Sequence, residues 1–431
     1  MNPDDLFRLR LVGDAQVAPG GKRIAYVVKN LDRESDEYIS NIYLWDGTAS
    51  RQFTAGGKDT APRWSPDGSR LAFLRREDKN QIFLMPVSGG EATRLTDLPL
   101  GAGTPVWSPD GSSIAFSHPV ATVEIDEDKP RIRVIERARY KQDGTGPVDH
   151  RRLQISIADL GGETRQLTSG DFDHAEPIWS PDGRHLAFAA DRNPEWDLRM
   201  ASDIWLIPRE GGEPRRVTDG EGEWTSPTFS PDGSRLAFVG HAATADERPF
   251  PYTQLWTADR AGGNLRNLLA GTDLAVGDTL AGDWSIAGPG NPVWREDGIY
   301  FLASTCGMTN LYRWDEGTHP VTTGRQHVMD FSIANGTIVC TVSRATQPAE
   351  VGVVRDGTIE PVTCHNKDFA QDLVAPRELR FPGADGSEVE GWLMEPANRQ
   401  PGRRYPLIVY IHGGPFSAYG ETFFHEFQTL A

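Results

Sequence analysis

The part of the sequence best suited to chemistry is the tetrapeptide His412-Gly413-Gly414-Pro415. It directly follows a continuous apolar run from Tyr405 to Ile411. Because glycine has no Cβ, such a loop can approach a ligand closely and direct backbone N–H groups into a cleft. N–H groups held in this way stabilise the negatively charged oxygen that develops during acyl transfer. The alternative is a glycine-rich turn that requires positive φ, with His412 bonded to the backbone rather than acting as a base.

Most of the chain before this loop consists of a repeat built on the pattern Pro-x-Trp-Ser-Pro-Asp-Gly. Its clearest copies begin at Pro62, Pro105, Pro177 and Pro227, and degenerate copies surround Gly21, Gly298 and Gly336. An apolar residue precedes each turn and an alternating apolar run follows it, which is the pattern of strands. Proline presets φ, serine and aspartate bond nearby backbone, and glycine adopts positive φ. Each copy therefore predicts a β-hairpin.

A second signature follows most copies and predicts a second hairpin in each repeat. In the segment from Gln81 to Thr96, an apolar run ends at a Gly-Gly pair and is followed by Arg-Leu-Thr. A Gly-Gly pair is a common hairpin turn. Two hairpins form a four-stranded unit of the size of a propeller blade. Seven copies therefore predict a mainly β fold, a seven-bladed β-propeller stabilised by packing between neighbouring blades.

The aspartates of the repeat suggest metal binding or acid–base chemistry, but their shared position inside the turn favours a structural role. They are Asp67, Asp110, Asp182 and Asp232. The longer repeats also carry insertions, at 119–152, 242–252 and 274–290. In repeat folds, insertions emerge on one face and often carry binding residues. These segments are therefore either binding loops or solvated loops without a role in binding.

Composition argues against several classes of protein. The 431 residues include 44 Lys and Arg against 61 Asp and Glu, a formal net charge of −17. Without a basic run, binding to nucleic acid or to an anionic membrane is not expected. No apolar stretch is long enough to cross a bilayer, and the acidic N-terminus lacks an apolar signal core, which predicts a cytoplasmic protein. The scattered Cys306, Cys340 and Cys364 predict reduced thiols, and we expect no metal and no cofactor.

The character of the sequence changes after the last repeat, near Asn366. The segment from Val389 to Pro396 has the pattern of a strand that ends at proline. The run from Tyr405 to Ile411 has the continuous apolar character of a strand buried on both faces of a sheet, as in α/β proteins. The glycine loop therefore follows a predicted buried strand.

Together these motifs resemble the prolyl oligopeptidase family of serine peptidases, and within it the acylaminoacyl-peptidase and dipeptidyl-aminopeptidase-like branch. The blades, the Asp385-Gly386 turn with Gly391-Trp392, and the segment from Tyr405 to Pro415 carry the resemblance. In that family a seven-bladed propeller caps an α/β-hydrolase domain and restricts access to short peptides. The resemblance implies a Ser-Asp-His triad, with the Gly414 N–H as one oxyanion donor and with His412, Gly413 and Pro415 shaping the loop.

The triad itself is missing from this sequence. No Gly-x-Ser-x-Gly elbow occurs, and Ser417 has the wrong spacing for one. In α/β-hydrolases the three residues follow the oxyanion strand in the order Ser, Asp, His, and the sequence stops at Ala431. His425 and Glu426 cannot replace the base and the acid without a nucleophile. We therefore expect no catalytic residue in this chain, a triad beyond Ala431, and no activity of the chain alone.

These expectations divide the chain into three parts. Residues 1–12 form a helical lead-in, residues 13–370 the propeller, and residues 371–431 the N-terminal portion of an incomplete α/β-hydrolase domain. Short peptides are the expected partners, and a homo-oligomer is compatible with the sequence.

Two other classes of protein fit parts of the sequence. A non-enzymatic TolB-like propeller that binds a protein partner would share the blade motif, but it predicts an export signal and no hydrolase strand. A propeller glycosidase would use paired carboxylates from the charged insertions. However, 61 acidic residues make chance pairs easy to find.

Overall fold

The structure is a computed structural model that describes residues 1–122, 134–142, 146–148, 150–198, 201–242, 252–369, 373–414 and 417–431. Helical structure in these ranges consists of three short 3-10 turns, Pro3–Phe7, Trp196–Leu198 and Lys367–Phe369, and the α-helix α1, His425–Leu430. None of the described helices is long and apolar enough to cross a membrane. The remaining regular structure is β.

The strands of the first three repeats occupy residues 11–166 and mostly form hairpins at the predicted turns. They are β1 (Leu11–Val17), β2 (Ile24–Asp32), β3 (Glu37–Trp45), β4 (Ser50–Gln52), β5 (Asp59–Trp64), β6 (Arg70–Arg76), β7 (Asn80–Pro86), β8 (Thr93–Arg94), β9 (Val106–Trp107), β10 (Ser113–Ala121), β11 (Lys141–Gln142), β12 (Gly146–Pro147), β13 (Arg151–Asp159) and β14 (Thr164–Gln166). The short pair β11–β12 belongs to the first predicted insertion, between β10 and β13.

The remaining strands cover four further repeats and a final hairpin. They are β15 (Ala175–Trp179), β16 (His185–Ala190), β17 (Asp203–Pro208), β18 (Arg215–Arg216), β19 (Gly222–Phe229), β20 (Arg235–Ala242), β21 (Gln254–Asp259), β22 (Arg266–Asn267), β23 (Ala275–Val276), β24 (Val293–Arg295), β25 (Gly298–Thr305), β26 (Met308–Trp314), β27 (Thr318–Pro320), β28 (His327–Ala334), β29 (Thr337–Arg344), β30 (Gln347–Arg355), β31 (Thr358–Pro361), β32 (Arg377–Pro382) and β33 (Glu388–Leu393).

Apart from β11, β12, β24, β32 and β33, the described strands form seven four-stranded groups, which confirms the seven predicted repeats and a mainly β fold of the propeller type. The groups are β1–β4, β5–β8, β9 with β10, β13 and β14, β15–β18, β19–β22, β23 with β25–β27, and β28–β31. A single parallel pair, Thr309 with His327, joins the last two groups into one sheet.

The chain forms two compact units. Unit 1 contains residues 1–62, 271–290 and 298–431, and unit 2 contains residues 63–270 and 291–297. The predicted domain boundaries after residues 12 and 370 do not coincide with this division and stay predictions. A 3-10 turn occupies the predicted helical lead-in, and β1 begins at Leu11.

In unit 2, neighbouring sheets pack through the apolar residues that alternate along their strands. Ile155 and Ile157 of β13 share a core cluster with Phe188 of β16, and Leu206 of β17 shares another with Phe238 of β20. Both phenylalanines are fully buried. Burial of one such side chain stabilises the fold by about 1.5–3 kcal/mol. Packing between neighbouring blades therefore stabilises the fold, as the repeat pattern predicted.

The repeated aspartate is a turn residue, as predicted. The Ser65 hydroxyl and the Ser69 N–H donate to the Asp67 carboxylate, at 2.5 and 3.0 Å, and Gly68 adopts a φ of +68°. Because these bonds favour the charged carboxylate, they lower the pKa of Asp67 to about 2. The same serine and backbone donors serve the aspartates of three other turns, Asp110, Asp182 and Asp232.

The threonine at the end of the second signature ties the fourth strand of a repeat to its third. The Thr96 hydroxyl accepts the Ile82 N–H at 2.9 Å and donates to the Gln81 side chain at 2.8 Å. The same pair of bonds recurs at Thr168, Thr218, Thr322 and Thr363. The polar residue that begins the signature and the threonine that ends it are therefore hydrogen-bonded partners.

In unit 1, the first repeat packs against the last. Val12 and Tyr26 share a core cluster with Val339 and Val351 of β29 and β30. The Asp330 carboxylate accepts the backbone N–H of Asp14 at 2.8 Å. Both four-stranded groups consist of strands that are consecutive in sequence, so the two ends of the repeat array meet by packing and hydrogen bonds.

After the last repeat, one strand prediction is confirmed and another is wrong. The predicted strand after Val389 lies in β33, which pairs antiparallel with β32. The run from Tyr405 to Ile411 forms no strand, and Leu407 and Ile411 are 76% and 82% exposed. A strand is held by hydrogen bonds to neighbouring strands, and among the described residues none is paired with this run. The run is therefore an exposed apolar segment.

Candidate functional site

The glycine loop lies on the surface of unit 1. His412, Gly413 and Gly414 are exposed, and Gly414 has a φ of +144°, a conformation that side chains rarely adopt. The Nδ1 atom of His412 lies 2.9 Å from the Gly413 carbonyl oxygen. His412 is therefore a backbone-bonded loop histidine, as the alternative interpretation anticipated. Pro415 lies outside the described residues.

The residues that follow the loop hold it from one side. The Ser417 hydroxyl donates to the Gly413 carbonyl oxygen at 2.7 Å. The Tyr419 ring meets the His412 ring edge-on, with 5.8 Å between the ring centres. Ser417 thus supports the backbone of the loop. Its hydroxyl has a structural role in this hydrogen bond, and no role as a nucleophile is needed to explain it.

The segment from Ser417 to Phe423, here called the anchor segment, is bonded to the backbone of the sixth repeat. Ala418 exchanges hydrogen bonds with Thr279 and Ala281, at 2.9 and 2.8 Å. The Glu421 N–H donates to the Gly307 carbonyl oxygen at 2.8 Å. A Cβ on Gly420 would lie only 2.1 Å from that oxygen. Glycine at 420 therefore permits the close approach of the two backbones.

A network of charged side chains reinforces the anchor segment. Arg325 donates to Glu421 at 2.6 Å and to Glu378 of β32 at 2.8 Å. The hydrogen bonds to Glu378 and Glu421 raise the pKa of Arg325. The Trp392 indole N–H of β33 also donates to Glu421, at 3.1 Å. The hairpin β32–β33 and the anchor segment therefore share one buried carboxylate, since Glu421 is 7% exposed.

A buried polar chain connects the anchor segment to the seventh repeat. Asp278 Oδ2 lies 2.7 Å from His327 Nε2, and His327 Nδ1 lies 2.9 Å from the Thr422 hydroxyl. The Thr422 hydroxyl also lies 3.3 Å from the Ser343 hydroxyl, which accepts the Phe423 N–H at 3.0 Å. We call Asp278, His327, Thr422 and Ser343 the polar chain. Its members border a cavity of about 270 Å³, lined also by Asp283, Trp284, Met329 and Phe423.

The two residues that superficially resemble an acid and a base have structural partners. The backbone N–H of His425 donates to the Asp283 carboxylate at the start of α1. The Glu426 carboxylate accepts the Tyr410 hydroxyl at 3.0 Å. Neither geometry provides a nucleophile, in agreement with the sequence interpretation of His425 and Glu426.

Sequence reasoning missed the polar chain. His327 and Thr422 belong to no motif, and Asp278 lies in the third insertion, 274–290, which was predicted only as a loop that either binds or is solvated. The useful signal was the composition of the seventh repeat. His327 pairs with Ser343, and at this register the first repeat has Leu11 and the fifth has Glu223, so the histidine departs from the apolar residue of the first repeat.

Two further sequence expectations concern metals and thiols. Within the described ranges, no group of three or more His, Cys, Asp or Glu side chains is arranged to hold a metal ion. Cys306, Cys340 and Cys364 form no disulfide, and Cys340 is buried; that they are reduced thiols stays a prediction.

Comparison with known proteins relates the whole chain to peptidases. A family model for the TolB β-propeller domain matches residues 11–122. The uncharacterised peptidase YuxL of Bacillus subtilis is 36% identical, over 99% of this chain and 68% of its own length. Dipeptidyl-peptidase 5 of Porphyromonas gingivalis is 25% identical, over 96% of this chain and 63% of its own length. This chain thus spans about two thirds of the length of these relatives.

Solved structures show the same fold. Acylaminoacyl peptidase from Pyrococcus horikoshii superposes with a TM-score of 0.81 at 20% identity, over all of this chain and 64% of that chain. The β-propeller domain of the Trilobed protease from Pyrococcus furiosus superposes with a TM-score of 0.60 at 18% identity, over 84% of this chain and 98% of that domain. At these identities the similarity concerns the fold alone.

Proposed function

The chain belongs to the prolyl oligopeptidase family of peptidases, and on that basis we propose that it is part of a serine peptidase that hydrolyses peptide bonds in short peptides. The observation that carries the proposal is the 36% identity to a peptidase over 99% of the chain. The names of the relatives favour acylaminoacyl or dipeptidyl substrates. Both substrate types present an amide carbonyl to a nucleophile, so the same oxyanion chemistry serves either.

In this proposal the glycine loop stabilises the tetrahedral intermediate. A serine beyond Ala431 attacks the carbonyl carbon, a histidine accepts the serine proton, and an aspartate orients the histidine. The carbonyl oxygen becomes an oxyanion, which accepts a hydrogen bond from the Gly414 N–H. The N–H that follows the nucleophile supplies the second bond. Loss of one such donor typically lowers kcat about 10²–10³-fold.

We further propose that the propeller gates access to the active site and that the protein is cytoplasmic. The seven repeats would exclude folded proteins and admit short peptides. The acidic chain, with a net charge of −17, would not be drawn to nucleic acid or anionic membranes. We also propose that this chain, without the triad, is inactive by itself. A homo-oligomer is compatible with these roles.

The direct test compares this chain with the full-length protein. We expect the full-length protein to hydrolyse chromogenic dipeptidyl or acyl-aminoacyl substrates and to be labelled by a fluorophosphonate at one serine. The 431-residue chain should show neither property. A full-length protein that is neither labelled nor active would contradict the serine-peptidase proposal. Substrates of increasing length, from short peptides to folded proteins, would test gating. The rate of hydrolysis should fall for folded substrates, while the rate of serine labelling stays constant.

A protein-binding propeller without catalysis is the second candidate. The match of residues 11–122 to the TolB propeller model is the observation that favours it. That match covers about a quarter of the chain, whereas the peptidase relative covers nearly all of it. A single stoichiometric partner of an inactive full-length protein would support this second role.

A further inference from the structure

We propose that Asp278 and His327 are positioning residues that hold the glycine loop in place through Thr422. This inference rests on the proposed peptidase function, in which that loop binds the oxyanion. Neither side chain contacts the loop itself. They act on the anchor segment, whose backbone and side chains contact the loop.

The polar chain is anchored at both ends. Asp278 Oδ1 accepts the Leu280 N–H at 3.0 Å, which fixes the carboxylate to its own loop. At the other end, the Ser343 hydroxyl lies 3.2 Å from the Gln347 carbonyl oxygen, within the β29–β30 hairpin. Thr422 therefore lies between two polar groups that are each fixed to the repeat array.

Two members of the polar chain are almost fully buried. His327 and Thr422 are 2% and 8% exposed. At the register of His327, the first repeat has the buried Leu11 and the fifth repeat has the partly exposed Glu223. Burial of polar groups is costly unless they are hydrogen-bonded, and apolar side chains often stabilise a core equally well. An apolar side chain fills this register in the first repeat, so packing of a repeat does not by itself require a histidine here.

The anchor segment connects Thr422 to the loop. Within the anchor segment, Ala418 is bonded to Thr279 and Ala281 on one side of Thr422, and Phe423 is bonded to Ser343 on the other. Ser417, adjacent to Ala418, donates to Gly413 in the loop. A shift of Thr422 would therefore pass along a short, hydrogen-bonded segment to the backbone around Gly414.

The position of the oxyanion donor determines how large the effect on the rate should be. An oxyanion donor accelerates the reaction only when it is held at the place where charge develops. A displacement of about 1 Å can lower the rate about 10²-fold. Substrate binding depends mainly on other contacts, so the effect should appear in kcat more than in KM.

The first experiment measures anchoring in the 431-residue chain, independently of catalysis. Thr422→Val removes the hydroxyl, and Thr422→Ser keeps it as the matched control. Hydrogen exchange of peptides covering residues 412–423 should become about tenfold faster in T422V and stay at the wild-type rate in T422S. Unchanged protection in T422V would overturn the proposal.

The second experiment measures the kinetics of the full-length protein. We expect T422V and His327→Gln to lower kcat about 10- to 100-fold, with KM changed less than about threefold, and T422S to retain wild-type kcat. His319→Gln, at an exposed histidine, is the control and should have no effect. If wild type is active and T422V and H327Q retain kcat, the inference is wrong and the proposed function stands. If wild type is neither active nor labelled, the proposed function fails, and hydrogen exchange still decides whether Thr422 anchors the loop.

Discussion

The hairpin of β15 and β16 pairs within itself and with β17, whereas most side chains in the run from Tyr405 to Ile411 are exposed. In the hairpin, the Ser180 N–H donates to the His185 carbonyl oxygen at 2.9 Å, and Phe188 is fully buried. In the apolar run, Ile411 is 82% exposed. The hairpin finds its partner strand a few residues away. The run needs a partner distant in sequence, so its apolar pattern alone does not make it a strand.

The largest expected effect comes from a matched pair of substitutions in the two regions. Phe188→Ala should lower the free energy of unfolding by about 3–5 kcal/mol, because it removes a fully buried ring from a packed core. Ile411→Ala should change it by less than about 0.5 kcal/mol, because that side chain is already in solvent. Urea unfolding of both variants measures the difference. Equal losses would show that the apolar run is packed in solution.

The second prediction concerns association through the apolar run. Exposed contiguous apolar surface favours association. The double substitution Leu407→Lys and Ile411→Lys should therefore lower self-association of the 431-residue chain several-fold, with the unfolding midpoint unchanged. Sedimentation or size-exclusion chromatography over a concentration series measures this. Leu198→Lys, at an isolated exposed leucine, is the control. Identical association of the double variant and wild type would contradict the prediction.

The smallest expected effect concerns how the stability contributed by the repeat turns depends on pH. Hydrogen bonds from serine hydroxyls and backbone N–H groups lower the pKa of Asp67 and Asp232 to about 2. An unfolded aspartate has a pKa of about 4, so the stability from these carboxylates is present above about pH 4 and is lost as the pH falls towards 2. The double variant Asp67→Asn and Asp232→Asn should lose less stability over that range. Thermal unfolding midpoints between pH 2 and 5 measure it, and parallel wild-type and variant curves would contradict the prediction.

The candidate site was less predictable from the sequence than the hairpin of β15 and β16, and more predictable than the run from Tyr405 to Ile411. The positive φ of Gly414 followed from glycine chemistry, and His412 took the backbone-bonded role expected of a loop histidine. The support beneath the loop was not predictable. Asp278, His327 and Thr422 come from an insertion, the start of β28 and the anchor segment, and no local pattern connects them.

The sequence by itself determined the repeat: seven hairpin pairs, the turn role of Asp67 and its counterparts, and the alternating core residues. Each of these depends on interactions between residues that are close in the chain, so the interacting residues are all part of the repeated pattern. Only the tertiary structure decided that the run from Tyr405 to Ile411 is exposed and that Glu421 and Thr422 are buried against the sixth and seventh repeats. Those outcomes depend on contacts between residues roughly a hundred positions apart. Such contacts form only when the folded strands bring these residues together.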